Sequence, residues 1–191
     1  SNTPGIYTYY VACSNTTTCR VPVTFTITAR PTGVISGDAI YPAPTATNLS
    51  IAVTGTGPWN GTILPGNIPF SGSSSPITVS VTPYNTTVYT LGSLTDPGTT
   101  CSSESGDLSG SATVTIVTLS APSVSVTQPT CAVATGTITV TSPVIVGYQY
   151  SIDGTNYQAS NVFTNVLPGT YNNITFKDLN NFTSPAATAT V

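Results

Sequence analysis

Residues 147–178 read GYQYSIDGTNYQASNVFTNVLPGTYNNITFKD, and this run decides the fold class. Its first part alternates strictly, with Tyr148, Tyr150 and Ile152 on one side and Gln149, Ser151 and Asp153 on the other. A period of two is the signature of a strand with one buried face. Asp153-Gly154 then predicts a tight reversal, because such a turn needs positive φ, which Gly adopts freely and Asp tolerates. A second strand is expected at Asn156-Tyr157-Gln158, and a third from Tyr171 to Lys177, entered through Leu167-Pro168-Gly169. No side chain in the run suits a nucleophile, a base or a metal cage, so it reads as scaffold.

Working outward, the same pattern recurs along the chain. Strands are expected at Gly5–Val11, Val21–Thr28, Thr47–Val53, Trp59–Leu64, Ile77–Thr82, Thr87–Leu94, Ala112–Val117, Thr135–Thr141 and Ala186–Val191. Turn signals separate them, among them Gly55-Thr56-Gly57-Pro58, Pro65-Gly66-Asn67, Ser71-Gly72-Ser73 and Asp96-Pro97-Gly98. Short strands at this spacing predict β-sandwiches. No helical apolar period is sustained anywhere. Arg30-Pro31-Thr32-Gly33 reads as a linker and Leu119–Pro122 as a second boundary. The expected division is residues 1–30, an incomplete pair of strands, then 31–118 and 119–191, each a β-sandwich. The fold class is therefore all-β, in tandem Ig-like modules without significant helix.

Composition narrows the function classes. Lys and Arg number 3, Asp and Glu 6, His is absent, the net charge is −3 and only 5% of residues are charged. Average globular proteins carry roughly 25%. Hydrophobic residues make up 39%, which together with the alternation sets the chain apart from disordered sequences. Arg20, Arg30 and Lys177 are too few and too scattered to neutralise phosphates, so no nucleic-acid partner is expected. The same scarcity argues against a polybasic lipid contact. No apolar run approaches the roughly 20 residues of a membrane span, so no membrane insertion is expected. No basic segment followed by an apolar one marks a signal peptide in this stretch.

The four cysteines form no CxxC pair, and without His a zinc site is not expected. Cys13 and Cys19 are near enough to close a small loop between two strands, so a disulfide is expected there, with two buried thiols as the alternative. The pairing of Cys101 and Cys131 stays open.

Several segments resemble known modules. Pro129-Thr130-Cys131, Thr135-Gly136-Thr137-Ile138-Thr139-Val140, Tyr150-Ser151-Ile152-Asp153-Gly154, Tyr157-Gln158, Val162-Phe163, Pro168-Gly169-Thr170-Tyr171 and Lys177-Asp178 together resemble the SprB-type repeat of long surface adhesins in gliding Bacteroidetes. Gly57-Pro58-Trp59, Thr82-Pro83, Thr87-Val88-Tyr89-Thr90-Leu91 and residues 109–115 are similar to the Ig/PKD-like modules of the same proteins. Tyr9-Tyr10-Val11-Ala12 and Cys19-Arg20-Val21-Pro22-Val23 look like the last two strands of another such module. The resemblance implies export across the outer membrane by the type IX route, display at the cell surface, and a chain that is part of a much larger protein. It also implies a cysteine near position 182, where Phe182 stands, and one near Tyr41; Cys131 and Cys101 lack those partners. Tyr171 to Phe176 carries one residue more than the repeat's interval, which places the two rings on opposite parities. A β-bulge near Asn172-Asn173 would restore them to one face.

Candidate sites are sparse. Catalysis needs positioned acid–base groups or an activated nucleophile, and this inventory supplies almost none, so no enzyme and no cofactor are expected. Asp96, Glu104 and Asp107 could converge near Cys101 on Ca²⁺; a solvated loop is the simpler reading, since the ligand alternation of a calcium loop is missing. Lys177 could crosslink to an Asn, though a lone exposed Lys is the simpler reading. Trp59 could stack on a sugar beside Asn60 and Asn67, but one large aromatic usually belongs in a sandwich core. Tyr148 and Tyr150 read as core-facing, while Tyr7, Tyr9 and Tyr41 are ambiguous. Asn15, Asn48, Asn60, Asn85, Asn173 and Asn181 begin N-x-[ST] sequons, which arise by chance in so polar a chain.

The expectation is a structural and adhesive segment of a surface filament. Its partners would be neighbouring modules, copies of itself or surface polysaccharide. Two alternatives are a carbohydrate-binding module and a fibre subunit that donates residues 1–30 to a neighbour's sheet.

Overall fold

The computed structural model describes residues 3–13 and 16–191, apart from the side chains of residues 13 and 16–19. The chain is all-β, and among the described residues the one helical element is a single 3₁₀ turn at Ser105–Asp107. Contacts divide it into two units, 1–117 and 118–191.

The first unit opens with β1 (Gly5–Cys13) and β2 (Thr16–Ile27), an antiparallel hairpin that forms a two-stranded sheet of its own. After it come β3 (Gly33–Ser36), β4 (Ala39–Tyr41), β5 (Thr47–Val53), β6 (Trp59–Leu64), β7 (Ile68–Gly72), β8 (Ile77–Val81), β9 (Thr87–Asp96), β10 (Cys101–Ser102), β11 (Leu108–Gly110) and β12 (Ala112–Ile116). They build a four-stranded sheet in the order β11-β3-β5-β8 and a six-stranded sheet in the order β4-β12-β9-β6-β7, with β10 on β9. Alternation supplies the core between them. Ile35, Leu49, Ile51 and Ile77 come from the first sheet, and Trp59, Ile63, Leu94 and Val114 from the second. Two sheets sharing one core are consistent with a β-sandwich.

The segment that reads as a linker is part of this core. Pro31 is fully buried, and Gly33 opens β3 with its Cα so close to Leu91 that an added Cβ would lie 2.8 Å from Leu91 Cδ1. The Pro65-Gly66-Asn67 turn joins β6 to β7 with Gly66 (φ +89°) and Asn67 (φ +52°) both left-handed. Those are the two residue types that adopt this conformation most readily.

The second unit contains β13 (Ser123–Thr127), β14 (Gly136–Ser142), β15 (Gln149–Ser151), β16 (Val162–Val166), β17 (Thr170–Lys177) and β18 (Ala187–Thr190). They form two three-stranded sheets, β13-β14-β16 and β15-β17-β18. Ile138 and Val140 from one sheet meet Tyr150, Ile174, Phe176 and Ala189 from the other. Tyr150 is 2% exposed, and the half-buried Tyr148 stacks on Phe176 at 5.5 Å. The expected bulge is present: Tyr171 pairs with Ala189 but Ile174 with Ala187, so one extra residue sits on β17 at Asn172-Asn173. Both Tyr171 and Phe176 thereby contact the same core.

The expected strand at 156–158 does not form; Tyr150 and Gln158 make a single bridge instead. The reason lies in the turn. Gly154 has φ +79°, as the Asp-Gly pair predicts. The Asp153 carboxylate accepts from the N–H groups of both Thr155 and Asn156, which diverts those donors from any ladder. The true partner of β15 is β17, where Tyr150 lies opposite Phe176.

Candidate functional site

The chain carries six carboxylates. Asp96, at the end of β9, is buried, and its Oδ2 accepts from the Thr56 N–H at 3.1 Å and the Thr56 hydroxyl at 2.8 Å. Its Oδ1 accepts from the Gly98 N–H at 3.1 Å. One carboxylate thus ties the 55–58 loop to the 97–99 turn. Beside it Trp59 is 6% exposed and donates its indole N–H to the Thr54 carbonyl at 3.1 Å. The ring lies in the core, so the sugar-stacking reading of Trp59 does not hold; Asn60 is exposed, and its carbonyl accepts from the Thr95 hydroxyl.

Glu104 and Asp107 do come together, around an arginine. Arg30 Nη1 lies 2.8 Å from Glu104 Oε1, and Arg30 Nε donates to Asp107 Oδ2 at 2.8 Å. The same Asp107 oxygen accepts from the Glu104 N–H at 2.8 Å and caps the 3₁₀ turn. Asp96 is bound to Thr56 and Gly98 instead, so the three expected calcium candidates serve two separate structural purposes. Among the described residues no three His, Cys, Asp or Glu side chains form a metal-binding group.

The other three carboxylates follow suit. Asp38 Oδ1 accepts from the Thr113 N–H at 2.7 Å, tying the entry of β4 to β12. Asp153 receives the Ser151 hydroxyl at 2.8 Å and the Asn156 amide at 2.6 Å besides its two backbone donors. Asp178, also buried, accepts from the N–H groups of Asn180 and Phe182, so Phe182 takes part as a backbone donor. Of the cations, Lys177 places its Nζ 4.3 Å above the Tyr157 ring, a cation–π contact.

At Asp96 and Asp153 these donors depress the acid. The Thr56 hydroxyl, followed by backbone N–H groups, lowers Asp96 against the opposing effect of its burial. The Asn156 side chain, then the backbone N–H groups of Asn156 and Thr155, hold Asp153 far below the usual carboxylate range. A carboxylate with a depressed folded pKa stabilises the fold above its unfolded pKa of about 4, and the contribution is lost as pH falls through the folded value. The urea midpoint is therefore expected to stay level from neutral pH to about pH 5 and to fall continuously below about pH 4. A midpoint that held constant through the acid range would contradict these assignments.

Cys101 and Cys131 are free thiols, the first half-buried and hydrogen-bonded to the Thr99 carbonyl, the second exposed. The side chains of Cys13 and Cys19 lie outside the described residues, and so does the expected disulfide. A concavity of about 380 Å³ in the second unit is lined by Leu119, Ser123, Ser142, Pro143, Tyr148 and Phe176. It offers hydroxyls and two rings with no carboxylate or cation. Sequence reasoning missed Arg30, Asp38 and Asp178 as organising residues. Asp178 carried a signal, an Asp followed by Asn180 in a turn-rich stretch, of the kind that forms Asx turns. Arg30 carried none, since its partners lie more than 70 residues away. No protein-family model matches the chain, and no curated protein matches it.

Proposed function

We propose that this chain is a structural and adhesive segment of a long secreted cell-surface filament, built as tandem Ig-like β-sandwich modules. The observation that carries the reading is that all six carboxylates accept hydrogen bonds or ion pairs from the chain's own donors, chiefly at loops and turns. Groups so engaged secure the connections between strands and leave little for acid–base work. The SprB-like pattern over residues 122–191 and the hydroxyl-rich, low-charge composition support the same reading. On this view the protein is not an enzyme, needs no cofactor and travels across the outer membrane to the cell exterior. Its mechanism is mechanical, with module added to module along the chain and many weak contacts summed by avidity.

Antibody raised against residues 118–191 is expected to label intact cells of the source organism along surface filaments. Labelling that appears only after the cells are permeabilised would refute the proposal. The sugar-binding alternative loses its leading residue with Trp59 in the core, and no other observation singles it out.

A further inference from the structure

The hairpin β1–β2 presents an exposed face on which the described side chains are apolar. Its register pairs Tyr9 with Val23 and Val11 with Val21, and the Phe25 ring stacks on Tyr9 at 5.3 Å. Strand alternation therefore gathers Tyr9, Val11, Val21, Val23 and Phe25 on one side. They are 55%, 58%, 56%, 47% and 45% exposed. The opposite side is mixed: Thr8, Thr24, Thr26 and Arg20 lie there beside Ile6 and Tyr10, themselves 75% and 63% exposed.

A comparable antiparallel pair occurs within the same unit. Where β9 pairs with β12, Tyr89, Ala112 and Val114 are buried in a core shared with the four-stranded sheet. The apolar face of β1–β2 has the alternation of a sandwich interior, and no strand among the described residues packs on it. Two strands alone are marginal in water, so a covering sheet would stabilise the hairpin as well as hide its face.

We propose that β1–β2 is a self-association surface, on which a second copy of the chain packs its own hairpin face to face about a twofold axis, giving a two-layer, four-stranded sandwich. Three observations favour a second copy. The face carries no charge, so like meets like without repulsion. An identical hairpin brings a partner face of the same length and the same alternation. The area meets the lower bound, since five such residues expose on the order of 500 Å² per copy, and complete burial of both faces gives roughly the 1,000 Å² at which specific interfaces begin. A twofold contact of this kind is closed, so the assembly stops at two. The inference does not depend on the filament reading: an intracellular protein with this hairpin would pair in the same way.

Sedimentation velocity over a wide concentration range tests it. The protein is expected to shift from monomer to dimer as concentration rises through the micromolar range. Phe25→Asp should weaken the dimer at least tenfold, and so should Val11→Asp, a second variant in case the first disturbs the hairpin. Thr24→Asp, on the opposite side, should leave it intact. The urea transition of the first unit serves as the folding control, because none of these side chains belongs to its core. The inference is overturned if the protein stays monomeric throughout, as it would were the face covered within one polypeptide. It is overturned equally by a dimer indifferent to Phe25→Asp and Val11→Asp, by one lost as readily with Thr24→Asp, or by an open ladder of oligomers, the mark of edge-to-edge strand addition.

Discussion

Replacing Gly61 by alanine is expected to destabilise the first unit by about 3 kcal/mol, a heavy loss for one methyl group. Gly61 sits mid-strand in β6, opposite Phe70 on β7 and Leu94 on β9. A Cβ there would lie 2.3 Å from the Ser93 carbonyl oxygen and 2.4 Å from Phe70 Cζ. The Ser93 oxygen is backbone in the central strand of the six-stranded sheet and cannot swing aside as a side-chain tip would. Phe70 is 7% exposed, and its ring has buried neighbours behind it. Relief therefore requires β6 and β9 to separate or the Phe70 ring to leave its rotamer, and both spread strain through a close-packed interior. For a unit of this size, 3 kcal/mol corresponds to a melting temperature lower by at least about 10 °C. Scanning calorimetry of Gly61→Ala beside Gly106→Ala makes the comparison, because a Cβ at Gly106 meets nothing within 4 Å. Equal melting temperatures for the two variants would show that β6 and β9 are not packed as described.

Tyr150→Ala is expected to remove most of the stability of the second unit. The ring is 2% exposed and lies among Ile138, Val140, Ile174 and Phe176. Truncating a buried aromatic costs about 3–5 kcal/mol. A unit of this size holds roughly 4–11 kcal/mol in total, so the change takes a large share or all of it. Tyr150→Phe separates packing from hydrogen bonding. The phenol oxygen accepts from the Ile145 N–H at 3.2 Å, in a loop whose residues 144–146 are exposed to water, so its loss should cost about 1 kcal/mol or less. Amide exchange is the appropriate readout. In Tyr150→Ala, protection in β14 and β17 should collapse while that in β5 and β9 persists, since the first unit has its own core. Retained protection in β17 would refute the central place given to this residue.

The strands that were legible in the sequence are those in which alternation covers a full ladder. Thr47–Val53 and Trp59–Leu64 form with the bounds read from the pattern, and the bulge at Asn172-Asn173 lies where the run from Tyr171 to Phe176 exceeds by one residue the interval of the repeat it resembles. What stayed hidden depends on partners distant in the chain. β3 begins inside a Pro-Gly stretch that reads as a linker, and its parallel pairing with β11 has no local signature. β7 is not among the expected strands; it contains Pro69, which it tolerates as a strand at the end of its sheet. Conversely, Asn156–Gln158 looked like a strand because its apolar–polar order is right, and the Asp153 side chain overrode that order by taking two N–H groups. The carboxylates divide in the same manner. Asp153 announced its turn through the Gly that follows it, whereas no spacing links Arg30 to Glu104 and Asp107.

Engaging the carboxylates with neutral donors has a consequence for the medium in which the protein can work. Interactions between exposed charges are screened over about 10 Å at moderate salt and over about 3 Å in concentrated salt. In this chain the exposed Arg30–Glu104 pair is the kind that screening weakens. Asp38, Asp96, Asp153 and Asp178 are held by N–H, hydroxyl and amide dipoles at hydrogen-bond contact, where no counter-ion can intervene. Brine, brackish water and dilute buffer should therefore find the two folded units nearly equally stable, an indifference to salinity that follows from how few ions the fold employs.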